Sequence, residues 1–159
     1  MANLAHISRR TFFVTAATYE RRPIFQISRV AEVFIDTLLY YRTHGCYKLH
    51  AFLVMPDHVH LLLTPQSISL DRAITLIQTG FAHRLASQHT LWEQGFTAHP
   101  VRNLRDLETL RTYLHQTPVR ENLTPTPELY PYSSAHRLAG KNPAVPVPTA
   151  TTLLSKSAS

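Results

Sequence analysis

The run Thr11-Phe12-Phe13-Val14-Thr15-Ala16-Ala17-Thr18 is dense in β-branched and aromatic side chains and is followed by the charged turn Glu20-Arg21-Arg22-Pro23, which predicts a first strand over 11–18. The period then changes: Val30, Val33, Phe34, Leu38 and Tyr41 recur at spacings of three and four, predicting an amphipathic helix over 27–41 with Ser28 as N-cap and Gly45 as its stop. Residues 47–55 return to a strand pattern, Pro56-Asp57 supplies turn chemistry, and a further apolar run covers 58–64, so an antiparallel hairpin is expected. A second helix should run from Ser69 or Leu70 to His89, with Ser69 as N-cap, Ile74, Ile77, Phe81 and Leu85 facing inward, and Gly80 as a local weakness. Residues 95–101 predict a short strand, edge-like because of Pro100. A third helix is expected from Leu104 to about Gln116 or Thr117, where Pro118 should end it. The order strand, helix, hairpin, helix, strand, helix is that of an α+β protein, and a ferredoxin-like (RRM-like) antiparallel sheet with helices packed mainly on one face is its natural form. One domain over 1–140 is expected; residues 141–159, rich in proline, alanine, serine and threonine and without aromatics, read as a disordered tail.

Composition narrows the class of partner. With 44% apolar residues the 159-residue chain can bury a single core. Sixteen Lys and Arg against ten Asp and Glu give a net charge of +6 and a pI near 9.8, which points to a polyanion, nucleic acid first. A merely solvated basic surface is the plainer alternative. Residues 1–50 carry seven basic and three acidic side chains and 101–159 carry seven and four, whereas the middle third is nearly neutral with two and three. Arg9, Arg10, Arg21, Arg22, Lys48, Arg102, Arg105, Arg111 and Arg120 are therefore the candidates for phosphate contacts. The single cysteine, Cys46, excludes an internal disulfide and suggests a reducing compartment. No stretch of about 18 apolar residues appears, so a cytoplasmic protein with no membrane partner is expected.

Two places in the chain carry candidate chemistry. In Met55-Pro56-Asp57-His58-Val59-His60-Leu61-Leu62-Leu63, the histidines are two residues apart in a strand pattern, so both rings leave one face, separated by about 6.6 Å of strand rise. Such a pair is either a two-toothed metal clamp or hydrogen-bonded polar filler on a half-buried strand. The second place is Tyr113, expected on the last turn of the third helix, where it shares a face with residue 117 and presents a phenol that is a candidate nucleophile. His50, His99 and His115 are further imidazoles that read as structural. Trp92, Phe96, Tyr130 and Tyr132 are candidates for stacking on unpaired bases, with core packing as the commoner use of such residues.

Taken in order, Met55-Pro56-Asp57-His58-Val59-His60-Leu61-Leu62, Leu91-Trp92-Glu93-Gln94-Gly95-Phe96, Tyr113-Leu114-His115-Gln116-Thr117-Pro118-Val119-Arg120 and Tyr130-Pro131-Tyr132-Ser133-Ser134 resemble one family, the tyrosine transposases of the insertion-sequence 200 type, and within it the REP-associated branch. The likeness spans about residues 8–138. It implies cleavage and joining of single-stranded DNA by an HUH-type enzyme, with His58 and His60 holding a divalent metal, Mg²⁺ or Mn²⁺, and Tyr113 forming a 5′-phosphotyrosine link while a 3′-OH is released. A phenol with an ordinary pKa near 10 needs such assistance at neutral pH. The implied partner is a short imperfect DNA hairpin with a flanking single strand. Relatives place an amide four residues after the tyrosine as a third metal ligand; this chain has Thr117 there, with Gln116 as the neighbouring amide, about 100° away around the helix. That departure keeps open an alternative, a domesticated hairpin-binding protein with weak or lost cleavage. Insertion-sequence relatives are dimers that exchange the tyrosine helix, whereas the REP-associated branch acts as a monomer, so monomer and homodimer are both expected possibilities. A small-molecule metallohydrolase is disfavoured, because no His-x-His-x-Asp-His run supplies the further ligands such sites need.

Overall fold

A computed structural model describes residues 10–141. Strand β1 (Phe12–Ala17) leads through two short 3-10 turns to helix α1 (Ser28–Thr43); β2 (Tyr47–Met55) and β3 (His58–Pro65) form the hairpin. Helix α2 (Leu70–Leu85), β4 (Thr97–Pro100), α3 (Leu104–Arg120), a 3-10 turn (Pro127–Leu129) and α4 (Ser134–Lys141) complete the order. The sheet runs β2-β3-β1-β4 with every pairing antiparallel, the ferredoxin-like arrangement expected from the order of elements. β3 is central, paired to β2 with Met55 opposite His58 and to β1 with Thr15 opposite His60.

Alternation along the strands makes two separate apolar layers. Val14, Ala16, Phe52, Val54, Val59, Leu61 and Leu63 point to one face, where they meet Phe34 and Leu38 of α1 and Ile74, Ile77 and Phe81 of α2. Phe13, Ala51, Leu53, Met55 and Leu62 point to the other, where Leu114 of α3 and Tyr130 seal a smaller cluster. Two long helices thus share one face and α3 crosses the opposite one, which is the face that His58 and His60 share with Leu62 by parity.

Several boundaries differ from expectation for identifiable reasons. Ile27 occupies the N-cap position of α1 in an extended conformation without a side-chain cap, so Ser28 is the first helical residue and not the cap. Ser69 caps α2 as expected, accepting from the Arg72 N–H at 3.1 Å. That helix ends at Leu85 and not at His89, because Ala86 turns left-handed (φ 54°) and the Ser87 N–H returns to the Ala82 carbonyl. Gly80 is a packing requirement and no weakness: a Cβ there would lie 2.7 Å from Tyr41 Oη, so its absence lets α2 approach α1. β4 is shorter than 95–101 but lies at the sheet edge as expected. Helix α3 continues through Pro118 to Arg120, because a proline in the last turn forfeits a single backbone donor there, and the Leu123 N–H closes the end on the Pro118 carbonyl at 2.8 Å. Helix α4 was not expected and takes in Lys141, the first residue of the expected tail; the remainder of that tail, 142–159, lies outside the described residues, as does Arg9.

Candidate active site

The turn Pro56-Asp57 starts β3 directly at His58, so the first and third residues of a central strand carry the two imidazoles. Their rings meet edge to face with centroids 4.8 Å apart. Each ring is held by its Nδ1. That of His58 donates to the Asp57 carboxylate at 2.7 Å, and that of His60 is 2.8 Å from the Thr15 hydroxyl across the β1–β3 pair. In both rings Nε2 is the nitrogen left over; the Asp57 carboxylate, which can only accept, fixes the His58 tautomer with its lone pair on Nε2, while Thr15 holds the orientation of the His60 ring. Burial, then the neighbouring His58, then the Arg120 and Arg21 charges push the His60 pKa down to about 4, so its ring is neutral at physiological pH with a lone pair on offer.

Tyr113 arrives on the same face from α3. Its ring packs edge-on against Phe13 at 6.4 Å between centroids, and Phe13 in turn stacks on His60 at 5.3 Å with 29° between planes. A strand residue thus bridges the tyrosine and the histidine pair within one chain. The Tyr113 side chain is 52% exposed, open to a ligand as large as nucleic acid. Leu114, its neighbour in sequence, is fully buried and anchors the helix to the sheet.

Two cations border this centre. Arg21 sits 3.6 Å from the Asp57 carboxylate, held there because buried Thr18 donates its hydroxyl to the carbonyls of Arg22 and Asp57 and its N–H to Asp57. Glu20 and Arg21 both adopt left-handed backbone (φ 53° and 54°), a conformation that costs non-glycine residues energy and that the Thr18 bonds hold in place. Arg120 places its guanidinium 4.3 Å from the Tyr113 ring centroid. Beside His58 a cleft of about 350 Å³ opens between Arg21, Pro56, Asp57, Glu121 and Leu123.

The other sequence candidates are dispersed. Thr117 is buried and its hydroxyl is engaged, donating to the Tyr113 carbonyl at 2.9 Å and lying 2.6 Å from Arg120 Nη2. Gln116 is exposed, one position around the helix. Among the described residues no cluster of three His, Cys, Asp or Glu is placed to hold a metal ion, and His58 and His60 stand as a pair. Arg22 pairs with Glu20 at 3.0 Å and Arg102 with Asp106 at 3.1 Å near the start of α3, where Arg105 is exposed. Arg111 pairs with Glu108 and Lys48 is exposed on β2, both near His50, while Arg10 lies over Phe12 at the start of β1. His50 meets the Thr64 hydroxyl and His115 the Ser134 hydroxyl, at 2.8 and 2.7 Å, and burial followed by the Arg111 charge lowers the pKa of each. His99 is exposed on the edge strand. Trp92 packs among Phe25, Phe34 and Phe81, Phe96 packs against the same core, and Tyr130 is buried beside Tyr132, so these aromatics serve packing.

Sequence reasoning missed Phe13, Thr15 and the orienting role of Asp57. Asp57 adjoins His58 in sequence and was open to discovery; Phe13 and Thr15 become visible only once the β1–β3 register is known.

A helical tyrosine beside a His-x-His strand on a ferredoxin-like sheet is the arrangement that defines this class of α+β protein. The chain matches the model of the IS200-like transposases over residues 8–117 and belongs to that family. A Haemophilus influenzae protein assigned to the REP-associated tyrosine transposases is 26% identical over 109 aligned positions, covering 59% of this chain and 62% of the relative, so the match spans less than two thirds of that protein's length. Among solved structures, that of a REP-associated tyrosine transposase bound to a REP hairpin shares the fold with a TM-score of 0.72 at 21% identity, covering 89% of this chain and 85% of the other. The crystal structure of a Deinococcus radiodurans protein assigned as a transposase aligns with a TM-score of 0.51 at 22% identity over 72% of this chain and 91% of its own. Among the described residues no helix is long and apolar enough to cross a membrane.

Proposed function

We propose that this protein cleaves and rejoins single-stranded DNA carrying a hairpin, using Tyr113 as nucleophile with metal assistance. The observation that supports this most is the meeting, in one chain, of Tyr113 and the His58–His60 pair on the two sides of Phe13. The substrate class is drawn from the structurally similar transposase bound to a REP hairpin, and the net charge of +6 agrees with a phosphate backbone as partner. Such a substrate gives the protein a cytoplasmic place of work.

In the proposed reaction the Tyr113 phenolic oxygen attacks the scissile phosphorus and loses its proton to solvent. The bond from phosphorus to the 3′ oxygen breaks, and that oxygen takes up a proton to leave as a free 3′-OH. The fragment beyond the cut stays attached to Tyr113 through its 5′ phosphate, and attack by a 3′-OH on that linkage reverses the step, restores the phenol and joins the strands. No oxidant or nucleotide cofactor is required, since one phosphodiester is exchanged for another. His58 and His60 are the residues that would hold Mg²⁺ or Mn²⁺, and the bound ion would polarise the phosphate and neutralise charge as it builds up. Asp57 and Thr15 keep the two rings turned for that purpose, Arg21 offers a cation to the approaching backbone, and the half-exposed position of Tyr113 admits the strand. In this proposal the tyrosine and the histidines come from the same chain, so that a monomer would hold a complete site.

The test is covalent capture. A 3′-end-labelled single strand containing a hairpin, incubated with protein and Mn²⁺, should yield a labelled protein-linked product, and Tyr113→Phe should abolish it while hairpin affinity stays within about threefold, because the lost hydroxyl is a reacting group and not a binding one. Salt-sensitive hairpin binding with no adduct under any metal would instead favour the domesticated, binding-only protein.

A further inference from the structure

The Tyr113 carbonyl receives two side-chain donors from the following turn, the Thr117 hydroxyl at 2.9 Å and Arg120 Nη2 at 3.0 Å. The same Arg120 nitrogen lies 2.6 Å from Thr117 Oγ, and the guanidinium carbon lies 4.3 Å from the centroid of the Tyr113 ring. Three residues on one helical face, spaced four and three apart, are therefore tied into a closed set: the threonine gives its proton to the tyrosine backbone, takes one from the arginine, and the arginine also covers the phenol. The position in the helix explains the need for such ties. Pro118 brings no N–H to the Leu114 carbonyl, so the backbone ladder is one bond short next to Tyr113, and the side-chain donors on the adjacent Tyr113 carbonyl add bonds to that same turn. A cation at the C-terminal end of a helix is also favourably placed against the unpaired carbonyls.

We infer that Arg120 and Thr117 are positioning residues for Tyr113, fixing the helix turn and the ring orientation of the attacking phenol, and that Thr117 acts in this clamp and not as a third metal ligand. The inference deepens the reading of Tyr113 as nucleophile and rests on it. The donor chemistry favours it over ligation. The threonine proton is spent on a carbonyl and one oxygen lone pair is directed to a cation, and an oxygen already facing a guanidinium is a poor site for a second positive charge. It also separates Arg120 from Arg22, Arg102 and Arg111, which are paired with acidic side chains, and from Lys48 and Arg105, which are exposed.

Three measurements decide the matter. Arg120→Ala should slow single-turnover adduct formation about 100-fold, the scale expected when a reacting group is misplaced by about an ångström. It should leave the salt dependence of hairpin binding unchanged, and guanidinium added to the buffer should restore part of the rate. Arg120 as a plain phosphate contact would instead lower the salt slope by about one and weaken binding without slowing the bound complex, which would overturn the inference. Thr117→Val, which keeps the volume and removes the hydroxyl, should leave the Mn²⁺ affinity measured by water-proton relaxation unchanged; a loss as large as that of His60→Ala would make Thr117 a ligand and also overturn it. The third uses no DNA and no metal: 3-fluorotyrosine at position 113 should give one sharp fluorine resonance that shifts and broadens in Arg120→Ala and in Thr117→Val, and an unmoved signal in both would sink the clamp. Should the unaltered protein form no adduct at all, the transposase reading falls while the fluorine spectra still decide whether the clamp exists.

Discussion

At the scale of single residues the site is a set of side chains each fixed by a partner. His58 is turned by Asp57 and His60 by Thr15, and in both rings Nε2 is the nitrogen without a partner, so neither ring needs to rotate to present it. The account therefore predicts that Asp57→Asn, which removes the carboxylate that fixes the His58 tautomer and charges its ring electron density, lowers Mn²⁺ affinity by about tenfold or more while the fold stays intact, as for other orienting partners of metal-binding histidines. Isothermal titration checks this, and an unchanged affinity would mean that the His58–Asp57 bond is only structural. How much of this was legible depends on the residue. The His58–His60 pair and its shared face follow from strand alternation alone, and Tyr113 from its place before a proline. Thr15 and Phe13 lie more than forty residues away in sequence and join the site only through the β1–β3 register, which no local pattern specifies.

Elements tell a similar story, with tertiary contacts deciding what local signals left undetermined. The hairpin was readable to within a residue because Tyr47 and Met55 bound an apolar run and Pro56-Asp57 forces the turn. The end of α3 was misjudged because a proline in a final turn is tolerated when the chain closes by other bonds, here Leu123 onto Pro118 and Arg120 onto Tyr113. Least legible was the segment Tyr130-Pro131-Tyr132-Ser133-Ser134, whose aromatics read as core packing first and base stacking second, with no sign of an edge cover. Besides packing, it closes the free edge of β2: the Tyr132 carbonyl accepts from Val54 N–H at 2.8 Å, the Tyr130 hydroxyl donates to the Val54 carbonyl at 2.6 Å, and Ser134 Oγ accepts from the Phe52 N–H at 3.0 Å. An edge strand left bare invites pairing with another chain, and this cover removes that possibility along residues 52–54. The Tyr130 hydroxyl is accordingly held protonated, its pKa raised chiefly by burial. Tyr130→Phe should cost about 1–3 kcal/mol in urea denaturation, since it strands a buried carbonyl acceptor; a loss below the error of the measurement would show that the edge is satisfied without it.

Across the whole molecule, charge and architecture act together. His50, His60 and His115 are all held neutral by burial and by nearby cations, with folded pKa values below the ordinary 6.5. The unfolded chain therefore binds more protons than the folded one as pH drops through 6.5, so stability is complete above that value and declines below it, with the His60 contribution still being lost down to about 4. Thermal melts at pH 7.5 and pH 5 should show the lower midpoint at pH 5, and replacing His50 with Gln should reduce the difference; an equal or higher midpoint in acid would contradict the burial argument. The sheet brings both halves of the proposed chemistry into one chain, β3 contributing the imidazoles and α3 the phenol, with Phe13 of β1 between them. The measurement that bears most directly on this claim mixes Tyr113→Phe protein with the His58→Ala/His60→Ala double variant and assays adduct formation on hairpin-bearing single-stranded DNA with Mn²⁺. The unaltered protein should form the adduct, and each variant alone and the mixture should not, because no single chain in the mixture holds both the tyrosine and the histidines. Adduct recovered in the mixture would place the tyrosine of one chain against the histidines of another, and wild-type rates from the double histidine variant alone would remove the imidazole pair from the reaction altogether.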